Sequence, residues 1–141
     1  MRELESAPVI GGFHTPVERD ALRILLRAGA PFIIVLARAA QGWRAPKSLG
    51  PAIKTAVASG TAQIVSPFPA TQKRTTAATA ETRNRHILTL CNTVLIAHAS
   101  PGGKTEALAG EAIAGGLRVE TFESPSNANL LALGATTGSM Q

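Results

Sequence analysis

Asn92-Thr-Val-Leu-Ile-Ala-His-Ala-Ser-Pro-Gly-Gly-Lys-Thr-Glu-Ala-Leu-Ala-Gly-Glu-Ala-Ile-Ala-Gly-Gly116 reads as one strand–turn–helix unit. Thr93 to Ala97 is an apolar, β-branched run of the kind expected of a strand buried on both faces. Ser100-Pro101-Gly102-Gly103 breaks it, and Lys104 to Ala114 is rich in helix formers until Gly115-Gly116 ends the helix. A Gly-rich turn between a strand and a helix N-terminus presents backbone N–H groups and the positive end of a helix dipole. Gly102, Gly103, Lys104 and Thr105 are therefore candidate phosphate-binding residues. Lys104 sits where the dipole alone would prefer an acid, a placement that a bound phosphate explains.

The same alternation extends toward the N-terminus. Pro8-Val9-Ile10 runs into the turn Gly11-Gly12. Thr15-Pro16 then opens a helix with a hydroxyl cap and proline in the first turn, and Glu18 supplies the third position of a capping box. Val17, Ala21, Ile24 (or Leu25) and Ala28 recur at helical spacing as its expected core face, and Gly29 closes it. Pro31 to Ala37 is an all-apolar strand, which implies a parallel sheet covered on both sides. Arg38 to Pro46 is a loop carrying Trp43, Leu49 to Ala58 a helix, and Ala62 to Val65 a strand broken by Ser66-Pro67-Phe68-Pro69.

Lys73-Arg74 is expected to open a long helix reaching about Leu90. On that helix Ala77, Ala80, Asn84, Leu88 and Cys91 share one face, with Arg83 and Arg85 about 100° to either side. Two readings of Arg83-Asn84-Arg85 are open: a clamp on a nucleotide, or a surface Glu81–Arg85 pair beside a structural asparagine. Beyond the opening unit, Leu117 to Phe122 is a strand, Ser124-Pro125-Ser126 stops it, and Asn127 to Leu133 is a short helix. The whole reads as an α/β, Rossmann-like, doubly wound and mainly parallel fold, short at its N-terminus. Residues 1–135 form a single domain, with 136–141 a frayed tail. Arg2 to Ser6 has room only for the last turn of an earlier helix. A missing central strand would leave a hydrophobic gap, requiring a partner, a rearrangement, or a start further upstream; a homo-oligomer is a separate expectation.

Composition sets the outer limits. The 141 residues suffice for one domain, and the ordinary hydrophobic content argues against disorder. No apolar run approaches a membrane span, and the first six residues lack the apolar core of a signal peptide. The single cysteine, Cys91, in an apolar context, suits a reduced cytoplasmic protein. A net charge of +5 favours polyanionic partners: nucleic acid, nucleotides or phosphates. Aromatics are few and scattered, so strand binding would rest on phosphate contacts rather than on a stacking platform. Candidate binding residues gather at the carboxyl ends of strands: Gly11, Gly12, Ser66, Arg83, Asn84 and Arg85, with Gly102 to Thr105, and Lys73 and Arg74 as candidate DNA contacts. His14, His86 and His98 have no metal-ligand spacing, and His98 with Ser100 is not a triad, so neither a metal nor a cofactor is expected. Glu106 is the weak catalytic candidate, as a general base.

At Glu81-Thr-Arg-Asn-Arg-His-Ile-Leu-Thr-Leu90, and at the Pro101-Gly-Gly-Lys-Thr-Glu106 turn, the chain resembles the DNA-processing protein A (DprA/Smf) family. The resemblance covers Pro8 to Ala135. It includes Gly11-Gly12 before a helix, Ser66-Pro67 before a basic loop, an R-N-R triplet at Arg83-Asn84-Arg85, and the ending Ser124-Pro-Ser-Asn-Ala-Asn129. It implies a bacterial-type mediator that binds single-stranded DNA, or nucleotide phosphates, in DNA-mediated transformation and recombination. Arg83, Arg85, Lys73, Arg74 and Lys104 would then contact phosphates. The expected departures from the family are a missing first βα unit, the want of any winged-helix or SAM-like domain, and Gly-Gly-Lys-Thr where Ser-Gly-x-Leu is typical. Pro101-Gly102-Gly103 is also similar to the P-G-G-x-G-T-x-x-E motif of nucleoside-monophosphate phosphoribohydrolases, which would give Glu106 a part in N-glycosidic cleavage, although its register is shifted. A small nucleotide sensor, or a truncated paralogue, is the third reading.

Overall fold

The computed structural model describes residues 8–137; the expectations for Arg2 to Ser6 and for the last four residues of the tail lie outside them. The chain divides into two compact units, residues 1–87 and residues 88–141.

In the first unit, β1 (Val9–Gly11), β2 (Phe32–Val35) and β3 (Ala62–Val65) form a parallel sheet in chain order. The register sets Val9 beside Phe32, and Phe32 beside Ala62. Helices α1 (Pro16–Ala28) and α2 (Gly50–Ala58) are the two crossovers. Right-handed crossovers made in the same direction along a sheet place both helices on one face, and α1 and α2 touch each other. Phe32 and Ile34 of β2, with Leu36 just past its end, meet Leu22 of α1 and Ile53 of α2 in the core beneath them. Burying one such side chain contributes about 1.5–3 kcal/mol.

Helix α1 begins and ends as its sequence predicts. Thr15 Oγ1 accepts the Glu18 N–H at 3.2 Å, and Gly29, at φ 67°, closes the helix in the left-handed region that favours glycine. The Glu18 carboxylate reaches past the cap: Oε2 accepts from the Thr15 hydroxyl at 2.7 Å and Oε1 from the Phe13 N–H at 2.9 Å. The expected core face is corrected in part: of its Ile24 and Leu25 alternatives, Leu25 packs against the core. Leu22 is buried and Leu25 and Leu26 pack beside it, while Val17, Ala21, Ile24 and Ala28 face solvent. The leucines form a second 3–4-spaced set about 120° round the helix, and the larger side chains take the core.

Helix α3 spans Ala77–Leu88, starting later than expected, so Lys73 and Arg74 lie in the loop before it. Its start is fixed by a reciprocal cap. The Thr76 hydroxyl accepts the Thr79 N–H at 3.1 Å, and the Thr79 hydroxyl accepts the Thr76 N–H at 2.8 Å. Its buried residues are Thr79 and Arg83, one turn apart, so the inward face is centred there and not on Asn84.

In the second unit, β4 (Thr93–Leu95) and β5 (Arg118–Glu120) are parallel, with α4 (Lys104–Ala114) as their crossover. A 3-10 turn, Pro125–Asn127, leads into α5 (Ala128–Leu133). Ile96, Ala109, Ala112, Val119 and Leu130 make the core. The expectation that β4 is covered on both faces is corrected: Thr93 and Leu95 on one face are exposed, while Val94 and then Ile96, on the other, pack into the core of this unit. Thr136 is not frayed. Its N–H donates to Val119 O and its carbonyl accepts from Thr121 N, both at 2.9 Å, forming a parallel bridge beside Glu120. Among the described residues, no helix is long and apolar enough to cross a membrane.

Candidate anion site

The carboxyl ends of β1 and β2 and the inward face of α3 enclose a cavity of about 250 Å³. Its lining includes Gly12, Phe13 and His14 after β1, Arg38 after β2, Trp43 and Arg44 in the following loop, Arg19 on α1, and Arg83 on α3. Four arginines thus meet around one opening. Arg83 is their centre and is only 3% exposed.

Several elements hold that guanidinium. Nε donates to Asn84 Oδ1 at 2.9 Å, Nη1 to the Val35 carbonyl at 3.4 Å, and Nη2 approaches His14 Nδ1 at 3.4 Å. A guanidinium only donates, so His14 Nδ1 is the acceptor in this contact. Burial pushes the Arg83 guanidinium below its ordinary pKa, and the Glu18 carboxylate opposes that shift. Among the described residues its hydrogen-bond partners are an amide, a carbonyl and an imidazole, and none is a carboxylate. A buried cation held this way retains attraction for an incoming anion.

The backbone before α1 is shaped around Arg83. A Cβ on Gly12 would lie 2.6 Å from Arg83 Cζ, so the absence of a side chain there makes room for the guanidinium. Phe13 takes φ 52°, uncommon for a bulky residue. Its ring is fixed edge-on against Phe32 at 6.1 Å between centroids, and its N–H is held by Glu18. Arg38 braces the loop that carries Trp43 and Arg44, donating from Nε to Ala39 O at 2.9 Å and from Nη2 to Gln41 O at 2.6 Å.

The expected site residues divide between the units. Gly12 and Arg83 line the cavity, and Asn84 orients Arg83 from the same helix. Gly11 ends β1 and packs against the Phe13 ring. Ser66 is a structural tie: its hydroxyl donates to Arg38 O at 2.6 Å and accepts from Phe68 N at 3.1 Å. Arg85, Lys73 and Arg74 are exposed. Arg19, Arg44 and Trp43 escaped the sequence reading, since they are far apart in the chain. Only Arg38, at the end of a strand, carried a positional signal.

Gly102, Gly103, Lys104, Thr105 and Glu106 belong to the second unit. There the turn holds a carboxylate of its own. Glu106 Oε1 accepts the Gly102 N–H at 3.0 Å, and Oε2 accepts the Asn129 amide at 2.8 Å. The Asn129 bond, then the Gly102 bond, hold the Glu106 carboxyl below its ordinary range against a small opposing effect of desolvation. A lowered carboxylate is a weak proton acceptor at neutral pH, which runs against a general-base role. Asn129 also donates to Ala99 O at 2.9 Å, and the buried Asn127 donates to Ala97 O and Phe122 O at 3.1 and 2.9 Å. These asparagines clamp the loop that follows β4. Lys104 and Thr105 are exposed at the start of α4. Among the described residues, no three His, Cys, Asp or Glu side chains cluster as a metal site.

No protein-family model matches the chain, and no curated protein matches its sequence. Among solved structures, the fold is similar to the crystal structure of DNA processing protein A (DprA) from Streptococcus pneumoniae. The TM-score is 0.71 at 19% sequence identity, with 94% of this chain and 48% of that chain covered. The chain therefore has a DprA-like, Rossmann-like α/β fold and spans about half the length of that solved chain.

Proposed function

We propose that this chain is a DNA-processing protein that binds the phosphates of single-stranded DNA, or of nucleotides, in the arginine-lined cavity of its first unit. The observation that carries this reading is Arg83, a buried guanidinium at the carboxyl ends of β1 and β2, with Arg19, Arg38 and Arg44 lining the same cavity. Placing a cation in the interior costs several kcal/mol by order of magnitude unless something compensates, and a phosphate is the ligand whose charge and acceptor oxygens match four arginines. The likeness to DNA processing protein A supports DNA as the source of that phosphate. Lys73 and Arg74, exposed on the loop leading to α3, would extend the contact along a strand, and Arg85 would add to it from the helix. In the second unit, Lys104 and Thr105 would offer outer phosphate contacts at the start of α4. A role in DNA uptake or recombination, and a cytoplasmic location, are part of the same proposal.

Titration of a labelled single-stranded oligonucleotide at rising salt tests it. Affinity should fall linearly on a log–log plot with a slope of about −0.7 per phosphate neutralised. Trp43, the only tryptophan, lines the cavity and should report binding by its fluorescence. No binding of either oligonucleotide or mononucleotide at low salt would sink the proposal.

A further inference from the structure

No run of aromatics in the chain could stack a strand, yet folding carries one of its few rings into the arginine cavity. Trp43 is half-buried, lining that cavity and also packing against the core of the first unit. It is held there from several sides. Its N–H donates to Ala40 O at 3.1 Å, closing a four-residue turn in which Gly42 takes φ 78°. Arg38 braces the same turn through Gln41 O, and Ala39 N, just before it, donates to Gln72 O at 2.6 Å. Leu36, Ala37, Pro46 and Ala80 join Trp43 as apolar lining beside the arginines. A phosphate alone uses none of that surface, and drying its oxygens against it is unfavourable. The mixed lining fits a ligand with an anionic end and a flat apolar body.

We infer that the cavity is a one-nucleotide site, in which Trp43 stacks a nucleobase while the arginines hold the phosphate of the same nucleotide. This deepens the phosphate reading proposed above and rests on it. Volume limits the occupant. At about 250 Å³ the cavity lies just below the roughly 300–1,000 Å³ of drug-sized pockets, which suits one small ligand and not a run of stacked bases. Every base has a π-face, so a single indole accepts any of them and selects nucleotides as a class without reading sequence. Trp43 and Arg44 are neighbours in the chain, so one braced loop positions the ring and a cation together. Trp43 therefore sets specificity, and the arginines supply the charge.

Isothermal titration calorimetry with deoxyribose phosphate, the common deoxynucleoside monophosphates and a short single-stranded oligonucleotide tests the inference. The nucleotides should bind about 5- to 150-fold more tightly than deoxyribose phosphate, the worth of one base–aromatic stack. Trp43→Leu should cut that ratio to near one, and the milder Trp43→Phe should keep most of it. Far-UV circular dichroism confirms that each variant is folded. A merely structural tryptophan would lower both affinities together and leave the ratio intact, and that result overturns the inference. Equal affinity of the wild type for the two kinds of small probe, or binding of the oligonucleotide alone, overturns the stack and leaves the phosphate reading standing. No binding of any probe overturns both.

Discussion

The guanidinium of Arg83 occupies the space that a side chain at Gly12 would need, with its Cζ 2.6 Å from the position of a Cβ there. Gly12→Ala should therefore displace Arg83 while leaving the charge in the chain. The overpacking is expected to cost about 1–3 kcal/mol in urea unfolding. Oligonucleotide affinity should fall with it. Unchanged affinity would show that the position of Arg83 is not what binds.

Arg83→Met separates stability from binding. Methionine fills much of the same volume and removes the desolvation cost of a buried charge, which offsets the donors lost to Asn84 Oδ1, the Val35 carbonyl and His14 Nδ1. The variant should unfold no more easily than the wild type yet bind oligonucleotide more weakly, its salt slope shallower by about 0.7, the single-strand increment for one phosphate. A variant that binds as the wild type does would remove Arg83 from the site.

Glu106→Gln tests the carboxylate inside the β4–α4 turn. The folded-state pKa is lowered, chiefly by the Asn129 amide and then by the Gly102 N–H, from an ordinary value of 4.5. A lowered carboxyl stabilises the fold above its unfolded value, and that contribution disappears as pH falls through the folded value. The wild type should have the higher melting temperature at pH 7, and its lead over Glu106→Gln should close as pH drops below 4.5. A gap that stays constant with pH would show that the charge is not what the turn uses.

Asn127→Ala removes the donor that serves both Ala97 O and Phe122 O from a site 2% exposed. Leaving two carbonyls short of a partner should cost about 2–3 kcal/mol. Far-UV circular dichroism in urea is the suitable readout, because the only tryptophan lies in the other unit. A loss below the error of that measurement would count against the clamp.

Helix ends were legible wherever the chain spells a cap. Thr15-Pro16 and Gly29 bound α1, and Gly103 and Gly115 bound α4, as the sequence alone predicts. Which side of a helix turns inward was not legible. On α1 two apolar sets have the same spacing, and only the sheet decides between them. On α3 the buried residues are a threonine and an arginine, polar groups that periodicity assigns to solvent. The site was half legible for the same reason. Arg83 and Asn84 stand in a recognisable triplet, whereas Arg19, Arg44 and Trp43 converge only once the strands have aligned. The Gly102 turn was legible as a donor of N–H groups, but its occupant, the Glu106 carboxylate, depends on Asn129 arriving from the far end of the unit.

Every strand pairing among the described residues joins a strand to the next one along the chain, and the widest of them, β2 with β3, loops out only one short helix and its connections. Such local wiring lowers the entropy lost in closing each loop and favours rapid folding. Domains also fold as they emerge from the ribosome, N-terminal portion first. All residues lining the arginine cavity lie at or before Arg83, so the site can assemble while the second unit is still being synthesised.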